Sequence, residues 1–162
     1  MKTLALVLFG WGLVLGLSGL ALAGNTAQQT VTYQVDAINE ISVSGDPANL
    51  VVNSATAGSE PNADTNNTTT WAITTNQTAR KMTGGINSDM PANVTLEINL
   101  TAPTDGASEG DVILSSIVAD LVTSIETIAE SGLTITYTLS ATVDAGVVTQ
   151  AQKTVTLTLT AE

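Results

Sequence analysis

Cysteine and histidine are both absent from the 162-residue sequence. Without cysteine there is no disulfide, no thiol nucleophile and no lipid-bearing thiol, so a stable fold must rest on packing and backbone hydrogen bonds. Without histidine the chain lacks the commonest general base, the commonest transition-metal ligand and the usual pH switch. Basic residues are scarce as well: Lys and Arg total 4 against 15 Asp and Glu, a net charge of −11. Phosphate binding needs basic side chains, so nucleic acid and anionic lipid surfaces are poor partners for this chain. The acidity instead favours solubility and repulsion between free subunits. Aromatics are 3% of the sequence. Beyond position 23 they are Tyr33, Trp71 and Tyr137, too few for a carbohydrate platform of stacked rings.

One long apolar run is present, at the start. Lys2 precedes "LALVLFGWGLVLGLSGL", and Ala21 and Ala23 place small residues at the −3 and −1 positions of a signal-peptidase site. This pattern predicts a secretory signal peptide over residues 1–23, cleaved before Gly24. The run is long enough to span a bilayer, which leaves an uncleaved anchor as the alternative; Gly16, Ser18 and Gly19 near its end favour cleavage. The expected location is extracellular, on the cell surface or in a periplasm, with no membrane association after cleavage. Residues 24–162 have the length of one domain.

What the rest of the chain has in abundance is alternation. "GLTITYTLSATV" sets Ile135, Tyr137, Leu139, Ala141 and Val143 on one side and Thr134, Thr136, Thr138, Ser140 and Thr142 on the other. "TVTLTLT" does the same with Val155, Leu157 and Leu159 against Thr154, Thr156, Thr158 and Thr160. Period-2 alternation of β-branched residues predicts strands with one buried and one wet face. The closeness of the two segments predicts an antiparallel hairpin. Strands are also expected over 30–43 (Val31, Tyr33, Val35, Ala37, Ile41 and Val43 on one side, with an irregularity at Ile38), around Leu50–Val52, and in "TTTWAITTN", "RKMTGGI", "NVTLEINLTA" and "DVILS". "TAGSEPNADTNNTTT" reads as an exposed loop. "IVADLVTSIETIAE" is ambiguous. Val118, Leu121, Val122, Ile125, Ile128 and Ala129 fit helical spacing, with Ser116 and Gly132 as caps, while the Ile, Val and Thr content favours sheet. A strand over Ala119–Ser124 followed by a helical turn is the preferred reading, and one short helix within 117–131 stays open. The many short strands separated by turn signals predict an all-β antiparallel sandwich of the immunoglobulin-like kind.

Catalytic chemistry finds little to use. No Ser–His–Asp or Cys–His set exists, Lys81 and Lys153 lie in no nucleophile motif, and scattered carboxylates make accidental pairs easy; the chain is expected not to be an enzyme and to carry no organic cofactor. "DGASEGD" offers Asp105, Glu109 and Asp111 with flexible glycines, the best candidate calcium site, although its spacing is not that of an EF-hand. Trp71 is the candidate ligand contact if the loops bind a glycan. Asn-X-Thr sequons occur at Asn66, Asn67, Asn76, Asn93 and Asn99, where the Asn/Thr-rich composition makes chance matches common. The threonine rows have a functional reading as an ice- or sugar-facing surface and a plainer one as ordinary wet strand faces.

The strand edges say more. "TVTLTLT" is uncharged and proline-free, a strong pairing segment that invites another strand if it lies at an edge. "NTAQQTVTYQV" is a polar leader running into an alternating strand, so Val31, Tyr33 and Val35 form a candidate donor strand able to complete a neighbour's sheet. With "VTYQV" near the start and "GLTITYTLSATVDAGVV…KTVTLTLT" at the end, the chain resembles secreted all-β surface-fibre subunits, a broad group that includes fimbrial pilins, spore-coat-U-like proteins and TasA-like matrix fibre proteins. The resemblance implies a non-enzymatic structural protein that assembles with copies of itself, or with another surface protein, by strand donation. Chaperone–usher pilins carry a disulfide and a tyrosine next to the C-terminal residue; this chain has no cysteine and has Ala161 there. A chaperone-independent fibre fits better, with a monomeric module that binds a glycan or a surface protein as the alternative.

Overall fold

The computed structural model describes residues 25–162, and the expected signal peptide lies outside them. The chain divides into two units, Met1–Gln34 and Val35–Glu162, and every strand among the described residues belongs to the second. The strands are β1 (Asn39–Val43), β2 (Asp64–Thr75), β3 (Arg80–Ile86), β4 (Val94–Leu100), β5 (Ala107–Ser108), β6 (Val112–Ile113), β7 (Ala119–Ile125), β8 (Ile128–Ala141) and β9 (Val155–Ala161). They form two antiparallel sheets, one in the order β1-β2-β8-β4-β6 and the other β5-β7-β3-β9.

After β2 every successive strand changes sheet, and this is what makes the chain a sandwich rather than a meander. The expected β8–β9 hairpin is therefore corrected. β8 pairs with β2 and β4, while β9 pairs with β3. Both segments alternate, but alternation reports only that one face is buried and not which neighbour lies alongside. The connection over 142–154 crosses the gap of about 10 Å between packed sheets. As a consequence the threonine rows of β8 and β9 lie on opposite outer faces, not on one surface.

The core is where the alternation puts it. Leu96, Ile98 and Leu100 of β4, Ile135 and Tyr137 of β8, Trp71 and Ile73 of β2 and Met82 of β3 are buried between the sheets. Leu157 and Leu159 pack against this cluster while Thr156 and Thr158 face solvent. Val143 departs from the expected core face and is exposed.

The ambiguous 117–130 segment is a strand, then the start of another. No helix forms there, and the helical turn expected before Gly132 is replaced by β8. The register between β3 and β7 slips twice, between Arg80 and Met82 and between Met82 and Thr83. Each slip inserts an extra residue and inverts the phase of the pleat. Leu121 and Val122, neighbours in sequence, are thus both buried, as is Ile125. Two bulges convert a period of 2 into a spacing that imitates a helix. Gly132, read as a helix cap, sits at φ 75° beside the slip between Trp71/Leu133 and Ile73/Glu130, a left-handed conformation that glycine adopts without steric cost.

Two other expectations shift. The strand expected over 30–43 is reduced to β1, because residues 26–38 carry no strand, and no strand forms around Leu50–Val52. The polar stretch read as a loop ends early, because β2 begins at Asp64.

Gly84 is more tightly enclosed than its neighbour Gly85 in the second sheet. A Cβ built on it would lie 2.5 Å from Leu121 Cδ1 and 3.3 Å from Leu157 Cδ2. Leu121 is fully buried and has little room to yield. Gly84→Ala is expected to lower stability by about 1–3 kcal/mol through overpacking, read as a lower urea midpoint with unchanged m-value.

Candidate functional site

The candidate site is an open edge with a groove beneath it. Among the described residues β9 pairs with β3 alone, so its other edge carries no strand. The hydrogen-bond phase identifies which backbone groups are left over. The Asn87 N–H donates to Thr154 O at 3.1 Å and the Glu162 N–H donates to Ala79 O at 2.9 Å. In an antiparallel ladder such pairs recur every second residue, so the even-numbered residues of β9 face β3. The N–H and C=O groups of Val155, Leu157, Leu159 and Ala161 face the open edge.

Beside that edge, between it and the edge strand β1 of the other sheet, lies a groove of about 1520 Å³. Ile41 and Val43 of β1, Leu96 of β4, Ile135 and Leu139 of β8, and Val155 and Leu157 of β9 supply apolar lining. Thr69 also lines it; this residue is buried, and its hydroxyl has no hydrogen-bond partner among the described residues. A buried hydroxyl ordinarily has one.

The flanking loops are held in place. The Val51 N–H donates to Asp64 Oδ2 at 2.7 Å, and the Val143 N–H donates to Glu60 Oε2 at 2.7 Å. Lys153 Nζ donates to Ser88 Oγ and to Asp89 O, each at 2.8 Å. Asp89 in turn accepts the Ser116 N–H at 2.6 Å, and this backbone bond holds its carboxyl below the usual range. These contacts gather 87–91, 115–117 and the start of β9 at one pole, the groove pole.

The chain enters the sandwich at the opposite pole. Asn39 pairs with Thr75, and Arg80 pairs with Ala161, the far end of β9 from Val155. The Asn76 amide clamps the entering backbone: its Nδ2 donates to Asp36 O and its Oδ1 accepts the Ile38 N–H, both at 2.8 Å. The same side chain is one of the five sequon asparagines, and its amide nitrogen is already engaged. Just upstream, Val31, Tyr33 and Val35 are 75%, 89% and 78% exposed.

Tyr137 lines the groove and burial pushes its phenol above the ordinary 10.0, the Asp46 carboxylate adding to the shift. A raised folded-state pKa favours the neutral form. The resulting stabilisation is present below the unfolded pKa of about 10 and is lost as pH rises through the folded value. Unfolding free energy is expected to fall above pH ~10 in the wild type, and Tyr137→Phe is expected to flatten this limb in a pH series of urea melts.

Two sequence candidates are corrected. Trp71 is 1% exposed in the core, and its Nε1–H donates to Thr101 O at 3.2 Å; a ring so placed cannot stack on a sugar. The calcium candidate does not assemble. Glu109 accepts the Thr123 hydroxyl and Asp111 accepts the Asn99 amide, and no three carboxylates gather into a metal-holding group among the described residues. The open edge of β9 was legible as a pairing segment; the groove beside it was not, because its walls come from segments distant in sequence.

Comparison with protein-family models, with curated proteins and with solved structures finds no match to this chain.

Proposed function

We propose that the chain is an exported, non-enzymatic structural subunit that polymerises outside the cytoplasm by donating its N-terminal segment to the groove of another copy. One observation carries the reading: an unpaired strand edge beside an open apolar groove, in a chain that also exposes an alternating apolar segment, Val31–Tyr33–Val35. An edge with free N–H and C=O groups is a template for another strand. A strand added there brings alternate side chains into the groove beneath it.

Charge supports a second copy as the occupant. Residues 25–35 contain no Asp, Glu, Lys or Arg, so the segment can approach another copy of an acidic protein without adding repulsion at the contact. The lining of the groove is chiefly apolar, which suits two valines and a tyrosine. Burial of each valine contributes roughly 1.5–3 kcal/mol, before the cost of ordering the segment.

Negative-stain microscopy and sizing of the purified chain beginning at Gly24 test the reading. Filaments that lengthen with concentration are expected. A protein that stays monomeric at millimolar concentration removes polymerisation and leaves a monomeric binding module as the better reading.

A further inference from the structure

We infer that the donated segment runs antiparallel to β9 of the accepting copy, with Val35 at the Val155 end and Val31 deeper, toward Leu159, so that the polymer is head-to-tail and has a defined direction. The inference rests on the strand-donation reading and specifies its geometry.

Two features of the sandwich determine it. The first is polarity. The chain enters at the pole marked by Asn76, Arg80 and Ala161, whereas the groove opens at the pole marked by Lys153, Val155 and Val94. Entry and acceptor regions at opposite poles make a heterologous contact, which repeats as a line of copies and does not close on itself as a two-fold pair does. Residues 36–38, held by Asn76, leave a short link between one copy's donated segment and its own β1, so successive copies abut pole to pole.

The second is chain direction. Followed from N to C, the donated segment starts inside the acceptor, leaves through its groove pole and reaches the donor's entry pole. β9 runs the other way, from Val155 at the groove pole to Ala161 at the entry pole. The two strands are therefore antiparallel, the more stable pairing per residue. The hydrogen-bond phase adds parity. Odd-numbered residues of β9 present their backbone to the open edge, and Val155, Leu157 and Leu159 turn their side chains toward the core. Odd-numbered donor residues placed opposite them exchange the ladder hydrogen bonds and send Val31, Tyr33 and Val35 to the same side. Even-numbered donor residues, Thr30 and Thr32, then face the even-numbered threonines of β9 on the wet side. These are non-hydrogen-bonded pairs, whose Cβ atoms are the closer of the two kinds.

The absence of native cysteine gives a clean test. Thr30→Cys is combined in the chain beginning at Gly24 with Thr158→Cys, with Thr160→Cys or with Thr154→Cys, and preformed filaments are oxidised and run on a non-reducing gel. A ladder of covalent multimers is expected from the 158 or the 160 combination and none from 154, which lies about 20 Å from 160 along the strand. A ladder from 154 with none from 158 and 160 means parallel donation and overturns the inference. So does the absence of a ladder from all three in preparations that contain filaments. Failure of the cysteine-free parent to form filaments removes the strand-donation reading and the inference with it, and is thereby distinguished from a wrong orientation.

Discussion

A chain lacking residues 25–34 is expected to remain a folded monomer under conditions in which the chain beginning at Gly24 forms filaments. The sandwich lies wholly within Val35–Glu162 and its core draws nothing from the removed residues. Truncation therefore takes away the proposed donor strand and leaves the groove. Circular dichroism is expected to keep the β signature, and sedimentation is expected to report a single small species. Added back as a synthetic peptide, residues 25–36 should stabilise the truncated protein. A ligand that binds only the folded state at a hundredfold excess over its Kd contributes about 2.7 kcal/mol, which for a domain of this size raises Tm on the order of 10 °C. A peptide with Tyr33→Glu, which places a charge in an apolar groove, should give no shift. If the truncated chain still forms filaments, assembly uses another surface. If it is unfolded, the segment is needed within its own domain.

The second large effect is expected at Trp71. Its ring is buried against both flanking strands, opposite Val43 on β1 and Leu133 on β8, and its indole N–H holds the Thr101 carbonyl at the exit of β4. Trp71→Ala is expected to cost about 3–5 kcal/mol, a large part of the ordinary stability of about 5–15 kcal/mol. Trp71→Phe keeps most of the packing, loses the hydrogen bond and is expected to cost less than half as much. Urea titration followed by circular dichroism measures both. A loss under 1 kcal/mol for Trp71→Ala would show that the ring is not part of the core and would return it to the list of exposed contacts.

The fold class could be read from the alternation because the signal repeats. Alternation in β4, β8 and β9 is strict, and its phase correctly put Leu157 and Leu159 toward the core and Thr156 and Thr158 toward water. Pairing was less legible. β8 and β9 look like the arms of a hairpin, and only the fold shows that the chain passes to the other sheet between them. The 117–130 segment misled for a physical reason, since two bulges in β7 place Leu121, Val122 and Ile125 on a spacing that a helix would also produce. Trp71 was singled out because aromatics are scarce, but scarcity carries no information about exposure. The acidic turn at Asp105, Glu109 and Asp111 had suitable ligand chemistry without suitable geometry, since Thr123 and Asn99 engage two of its carboxylates. The alternating stretch Val31–Tyr33–Val35 was visible in the sequence, and the structure leaves it exposed. The groove was not visible, because it is lined by β1, β4, β8 and β9 together.

Amide hydrogen exchange at the open edge reads strand donation to β9 residue by residue. Among the described residues no strand lies beyond the N–H groups of Val155, Leu157 and Leu159 on the odd-numbered edge of β9, so these amides should exchange quickly in the truncated monomer. In the polymer strong protection of these three amides is expected, together with those of Val31, Tyr33 and Val35. Polymer in which the amides of Val155, Leu157 and Leu159 exchange as fast as in the truncated monomer would contradict strand donation to β9.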